Sequence, residues 1–249
     1  MLRFFSLFIV IAFTPVVALA QTLQGADVPP PVVLELFTSQ SCGFCPPADA
    51  LIGQMAQQQS IIAMSCHVDY FGVSQNSLGI SFCTRRQNEY NRIIGTGPRY
   101  TPQLVVNGHI DMIGYQTGKV SAAVLKARAE KVLPISIVDG GAGAYSFSLP
   151  TIDVAGKEIR LWLAVYDVPK TLSMVEGSNF GKKLTYYNVI SRIDDLGVWD
   201  GRALTQSAQI GLTNQNAGLA VIAQNVQTGH IIAAGDLKKP VVTPVAVVK

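Results

Sequence analysis

The segment 32–55, VVLELFTSQSCGFCPPADALIGQM, changes grammar within a few residues. Val32 to Phe37 is an apolar, β-rich run. Ala48, Leu51, Ile52 and Met55 then fall at i, i+3, i+4 and i+7, one stripe of a helix. Between them lies Cys42-Gly43-Phe44-Cys45, at the point where a strand hands over to a helix. In that setting a C-x-x-C pair takes on redox meaning. Free N–H groups and the positive end of the helix dipole favour an anion there, so Cys42 is expected as the attacking thiolate. Two intervening residues let Cys45 turn back and resolve a mixed disulfide formed at Cys42.

Reading outward, Ile61 to Val68 is a second buried strand and residues 81 to 95 a weaker helical pattern. Gln103 to Val106 and Ile110 to Ile113 flank Asn107-Gly108 as a hairpin, and Val120, Ala123, Val124 and Ala127 mark a last helix. The expected order is β-α-β-α-β-β-α. The helical period stops near Leu133-Pro134. Beyond it come short alternating runs: Tyr145, Phe147 and Leu149; Ile159, Leu161, Leu163 and Val165; then Leu184 to Ile190, Ala208 to Leu212, Leu219 to Ala223 and Ile231 to Ala234. Six or seven strands predict a β-sandwich-like module. The chain thus divides into a leader (1–20), an α/β domain (30–132) and a β-rich C-terminal domain (134–240).

The leader follows from Arg3, an apolar run from Phe4 to Val17, and the small residues of Ala18-Leu19-Ala20, a signal-peptidase pattern predicting cleavage after Ala20. The run is shorter than the ~20 residues a spanning helix needs. The mature chain is therefore expected in an oxidising compartment such as a bacterial periplasm, with no membrane attachment after cleavage. Of the 249 residues, 49% are apolar and 14% charged, and the formal charge is +3. That balance excludes a disordered chain and offers no footprint for nucleic acid. No dinucleotide fingerprint or phosphate loop is present, so no organic cofactor is implied.

Tyr100-Thr101-Pro102 precedes the hairpin, and a proline there marks a strand start, because it has no N–H to give a ladder. C-x-x-C between strand and helix, then Thr101-Pro102 entering a hairpin and a closing helix, resembles the thioredoxin fold over roughly residues 30 to 132. The resemblance implies a cis proline facing the cysteines and a preceding residue that offers its backbone to a substrate strand. Thr101, Pro102 and Phe44 are the substrate-contact residues on that basis. Glu35 to Asp49, His67-Val68-Asp69-Tyr70, Tyr100 to Gln103 and Gly177-Ser178-Asn179 are similar to a bacterial family of secreted thioredoxin-like proteins of unassigned function, with an all-β C-terminal half. Gly43-Phe44 resembles the Gly-Tyr of periplasmic disulfide isomerases, which points to isomerase or reductase work. The implied partners are periplasmic or secreted protein thiols and disulfides, and a redox partner that restores the thiol state.

Other readings stay open at this level. Cys42 and Cys45 could form a static disulfide, or could join Cys66 or His67 and Cys83 around a soft metal such as copper(I), making the loop a metal-handling or protein-interaction module. Cys66 and Cys83 are expected to form a structural disulfide, worth about 3 kcal/mol on the chain-entropy model; a second redox pair is the sharper alternative. Glu35, a carboxylate within an apolar strand, is expected to be paired or protonated, and to take up the proton of Cys45 during resolution. Arg85, Arg86 and Arg92 are expected on a solvated helix face, His67 and Asp69 as a hydrogen-bonded pair or a site contribution, and His109 and His230 at the surface. Trp162 and Trp199 are expected to pack the β-rich half.

Overall fold

Residues buried on both faces of a strand require a layer on each side, and β1 (Val32–Thr38) has no exposed residue along its length. The computed structural model, which describes residues 29–72 and 77–239, supplies both layers. The leader expected at 1–20 lies outside the described residues. After β1 come α1 (Pro46–Met55), β2 (Ile61–His67), α2 (Ser81–Ile94), β3 (Gln103–Val106), β4 (Ile110–Ile113) and α3 (Thr117–Arg128). The four strands form one mixed sheet in the order β2-β1-β3-β4, with β1 parallel to β2 and antiparallel to β3. Val32, Leu34 and Leu36 face α1 and α3, whereas Val33 and Phe37 face the side of α2. Asn107 and Gly108 turn the hairpin with φ of 45° and 76°. A side chain at Gly108 would also collide with the carbonyl of Gly229.

The remaining strands are β5 (Leu133–Pro134), β6 (Ser136–Gly141), β7 (Ala144–Leu149), β8 (Ile159–Asp167), β9 (Lys170–Ser173), β10 (Lys183–Tyr186), β11 (Ile190–Trp199), β12 (Leu204–Gln209), β13 (Asn216–Asn225) and β14 (Ile231–Lys238). A five-stranded sheet, β11-β8-β13-β14-β5, and a three-stranded sheet, β12-β7-β6, close on one core that includes Phe147, Leu161, Leu163, Val221 and Trp199. The protein is thus α/β with a sheet-rich C-terminal half. The other face of the larger sheet adds Tyr166, Ala220 and Ile222 to the core on the α2 side of the first sheet, so one apolar cluster spans both halves.

Several expectations change. The run Leu184 to Ile190 is not one strand: it breaks between β10 and β11 at Asn188, whose φ is 46°. There the Asn188 carbonyl accepts from Ser65 N–H (2.9 Å) and its Nδ2 donates to Ala63 O (2.8 Å). The C-terminal half thereby covers part of the open edge of β2. The strand expected at Ala208 to Leu212 is instead β12, Leu204–Gln209. Arg86 is buried, not solvated. Trp162 packs edge-on against Phe82 of α2, at the junction of the halves, while Trp199 does lie in the C-terminal core. His230 is exposed and His109 half-buried, each beside a hairpin turn, and their rings stack at 3.8 Å. Among the described residues no helix is long and apolar enough to cross a membrane.

Candidate functional site

Because β1 and β2 run parallel, their C-terminal ends share one edge of the sheet, and the chain leaves β1 there through Ser39, Gln40 and Ser41. Two short turns form the loop: Cys42 N–H donates to Ser39 O (3.1 Å) and Cys45 N–H to Cys42 O (3.2 Å). Ser39 Oγ ties the loop outward to Phe71 O (2.7 Å). Cys42 and Cys45 are joined as a disulfide with a Cα separation of 5.4 Å. Cys45 is the residue that caps α1, and Pro46 and Pro47 open the helix.

That opening corrects one expectation. The prolines have no N–H, and the next two donors, Ala48 and Asp49, both bond Cys45 O (2.9 and 3.0 Å). The helix start therefore holds no free N–H for a Cys42 thiolate, and only its dipole remains to favour the anion.

Thr101 and Pro102 are joined by a cis peptide, and Thr101 O lies 3.6 Å from Cys42 Sγ. With the disulfide closed this is a contact without a proton; an opened Cys42 thiol would donate to it. Cys42 is 3% exposed and Cys45 0%. Cys42 borders a groove of about 580 Å³ with Phe44, Tyr70, Arg99, Tyr100 and Thr101 among its walls, while Cys45 does not reach it. Phe44 is 72% exposed at the rim. Arg99 stacks over Tyr70 at 4.2 Å, Tyr70 OH donates to Gln87 Oε1 (3.0 Å), and Gln87 Nε2 donates to Tyr100 O (2.8 Å). In this way α2 holds the segment that presents Thr101. The C-terminal half reaches the same place: Asn179 Nδ2 donates to Gln40 O and to Cys42 O, each at 2.9 Å.

Two buried carboxylates flank the sheet. Glu35 projects to the α2 side with Val33 and Phe37, where Arg86 Nε and Nη2 pair with its two oxygens and Tyr90 OH donates to it. Gln224 Nε2 donates to Tyr90 OH (3.0 Å), so the C-terminal half completes the network. Glu35 is therefore paired, as a charge in an apolar strand must be, but it projects away from the α1 face. Asp49 occupies that face, one turn after Cys45. Side chains on a helix lean toward its N-terminus, which aims the carboxyl back toward Cys45. Its Oδ1 accepts from Thr38 Oγ1 (2.8 Å), and Oδ2 has no hydrogen-bond partner among the described residues. Burial pushes the Asp49 pKa up to about 7, against the smaller opposite effect of the Thr38 bond.

Cys66 and Cys83 are bonded to each other in the core on the α2 side, both fully buried. They do not join Cys42 and Cys45. His67 is buried, its two ring nitrogens have no hydrogen-bond partner among the described residues, its ring lies edge-on to Tyr186 at 5.0 Å, and burial depresses its pKa to about 3. Asp69 bonds Thr84 instead, so the expected His67–Asp69 pair is absent. Among the described residues no group of three or more His, Cys, Asp or Glu side chains is placed to hold a metal ion. Sequence reasoning gave no individual role to Asp49 or Asn179, although both lie in the stretches quoted for the family resemblance. Asp49 was within reach, since it lies four residues after Cys45 beside the apolar stripe, whereas Asn179 meets the loop from 137 residues away.

Fold and site together define an α/β protein whose two-cysteine loop is closed as a disulfide between strand and helix, an arrangement consistent with a redox-type loop. The chain belongs to a family described as a protein of unknown function, DUF1223, whose model matches residues 33–224. It is similar to protein AGR_C_4864 from Agrobacterium tumefaciens, known from an X-ray crystal structure, with 25% identity and a TM-score of 0.73, covering 86% of this chain and 96% of that one. HBP35 of Porphyromonas gingivalis shares the fold at 16% identity and a TM-score of 0.60, covering 90% of this chain and 80% of that one. No curated protein matches the chain.

Proposed function

We propose that this protein is a thiol-disulfide oxidoreductase built on a thioredoxin fold, exported to the periplasm by a cleaved leader and working as an isomerase or reductase. One observation carries the reading: of the Cys42–Cys45 pair only Cys42 opens onto the groove, and it does so directly against the carbonyl of Thr101 before a cis proline. The element order β-α-β-α-β-β-α and the sheet order β2-β1-β3-β4 support the fold assignment.

In the reducing direction the Cys42 thiolate attacks one sulfur of a substrate disulfide. The substrate S–S bond breaks, its second sulfur leaves as a thiolate that takes a proton, and Cys42 carries the mixed disulfide. The buried Cys45 thiol passes its proton to the Asp49 carboxylate and attacks Cys42 Sγ. The Cys42–Cys45 bond forms, the first substrate sulfur departs, and two electrons have moved to the substrate. Asp49 suits this exchange because its pKa of about 7 lets it hold or release a proton near neutrality. Phe44 and the Thr101 backbone hold an extended substrate segment in the groove. The copper(I) alternative is left with the two sulfurs of the loop, since Cys66 and Cys83 are bonded to each other elsewhere.

A Cys45→Ala variant expressed with its leader should accumulate mixed disulfides at Cys42 with secreted proteins, seen as reducible bands on non-reducing gels. A variant that traps nothing, with a wild-type chain that leaves disulfides untouched in every glutathione buffer, would overturn the proposal. One tight copper(I) per chain, lost on Cys42→Ser, would favour metal handling instead.

A further inference from the structure

We propose that Asn179, delivered by the C-terminal half, is the positioning residue that keeps Cys42 within bonding distance of Cys45 when their disulfide is open. This rests on the thiol-disulfide reading above. Asn179 ends the single helical turn Gly177–Asn179 and is completely buried. Both hydrogens of its amide are used on the redox loop, at Gln40 O and Cys42 O, and its Oδ1 accepts from Lys182 Nζ at 3.0 Å.

The approach is close on each side. A Cβ on Gly43 would stand 3.1 Å from Ser178 Cβ, and one on Gly177, whose φ is +71°, 3.2 Å from Ser41 Cβ. The two sulfurs are anchored by different means: Cys45 belongs to the cap of α1, whereas the Cys42 backbone is held by local turns and by Asn179. Opening the disulfide removes the covalent tie and leaves those anchors. How readily the dithiol closes again is set by the effective concentration of one sulfur at the other, which falls when an anchor is lost. The C-terminal half thereby biases the loop toward its closed form.

The test is an equilibrium of the full chain with glutathione, in which the Cys42–Cys45 dithiol plus oxidised glutathione gives the disulfide plus two reduced glutathiones. Asn179→Asp keeps the shape but has no hydrogens to donate, and Asn179→Ala removes the group. Both should lower the equilibrium constant for disulfide formation at least tenfold, a shift of about 30 mV toward a more oxidising potential. A constant within twofold of wild type would overturn the clamp while leaving the oxidoreductase reading intact. A wild-type chain that never equilibrates with glutathione would overturn both. Should the variants not fold, the Asn179 side-chain amide signals of the wild type decide by NMR. Slow exchange with solvent in both redox states supports the clamp, and free exchange in the reduced state overturns it.

Discussion

Glu35 and Asp49 are both carboxylates with almost no exposure, yet their partners give them opposite chemistry. Glu35 meets a guanidinium on both oxygens, so its charge is neutralised in place. Asp49 has one neutral donor, and burial prevails over it. A raised carboxylate pKa means that the folded state retains a proton the unfolded chain gives up. The stability this contributes is complete below the ordinary pKa near 4 and is lost as pH rises through about 7, at roughly 1.4 kcal/mol per pH unit in between. Asp49→Asn should remove that slope. Thermal unfolding should show the variant gaining on wild type from pH 4 to pH 8, and resolution of a mixed disulfide near pH 7 should slow. Identical pH slopes for the two proteins would show that Asp49 ionises as an ordinary carboxylate. Cys42, Cys45 and the trouble with Glu35 were readable from spacing and from a charge set in an apolar run. The partner of Glu35, Arg86, was not, because 51 residues separate them and its local pattern reads as a polar helix face.

At the scale of elements, the first half was legible because periods of 2 and 3.6 alternate cleanly and the Asn107-Gly108 turn marks a hairpin. In the second half β11 escaped beyond Ile190. It lies at an edge of its sheet, carries Asp194 and Asp195, and has register shifts at Ile190/Arg192 and Asp195/Gly197 that break the alternation. The start of α1 was read as a helix with donors to spare, and Pro46-Pro47 denies that. The Cys66–Cys83 bond ties β2 to α2 inside the core, where no solvent reaches it. Replacing both cysteines with alanine should lower stability by about 3 kcal/mol in chemical denaturation, while the glutathione equilibrium of Cys42–Cys45 stays that of wild type. A changed equilibrium would make the buried pair a participant in electron transfer.

Across the whole molecule the two halves share one apolar cluster: Val33, Phe37, Met64 and Tyr90 from the first meet Tyr166, Ala220, Ile222 and Ile231 from the second. Gln224 completes the network around Glu35, and Asn179 bonds the two-cysteine loop. A chain cut to residues 29–132 would expose that face to water and should lose its cooperative thermal transition and bind a hydrophobic dye. A fragment melting within a few degrees of the full chain would show the first half to be self-sufficient. The sequence by itself determined the order of elements in the α/β half, the strand-rich character of the rest and the placement of the two-cysteine loop between strand and helix, because each is written in local spacing and period. Only the tertiary structure decided that Asp49 is buried with Thr38 as its partner while Glu35 pairs with Arg86, and that the distant Asn179 bonds the two-cysteine loop. Those outcomes depend on which faces meet across the core, and local periodicity carries no record of a partner 137 residues away.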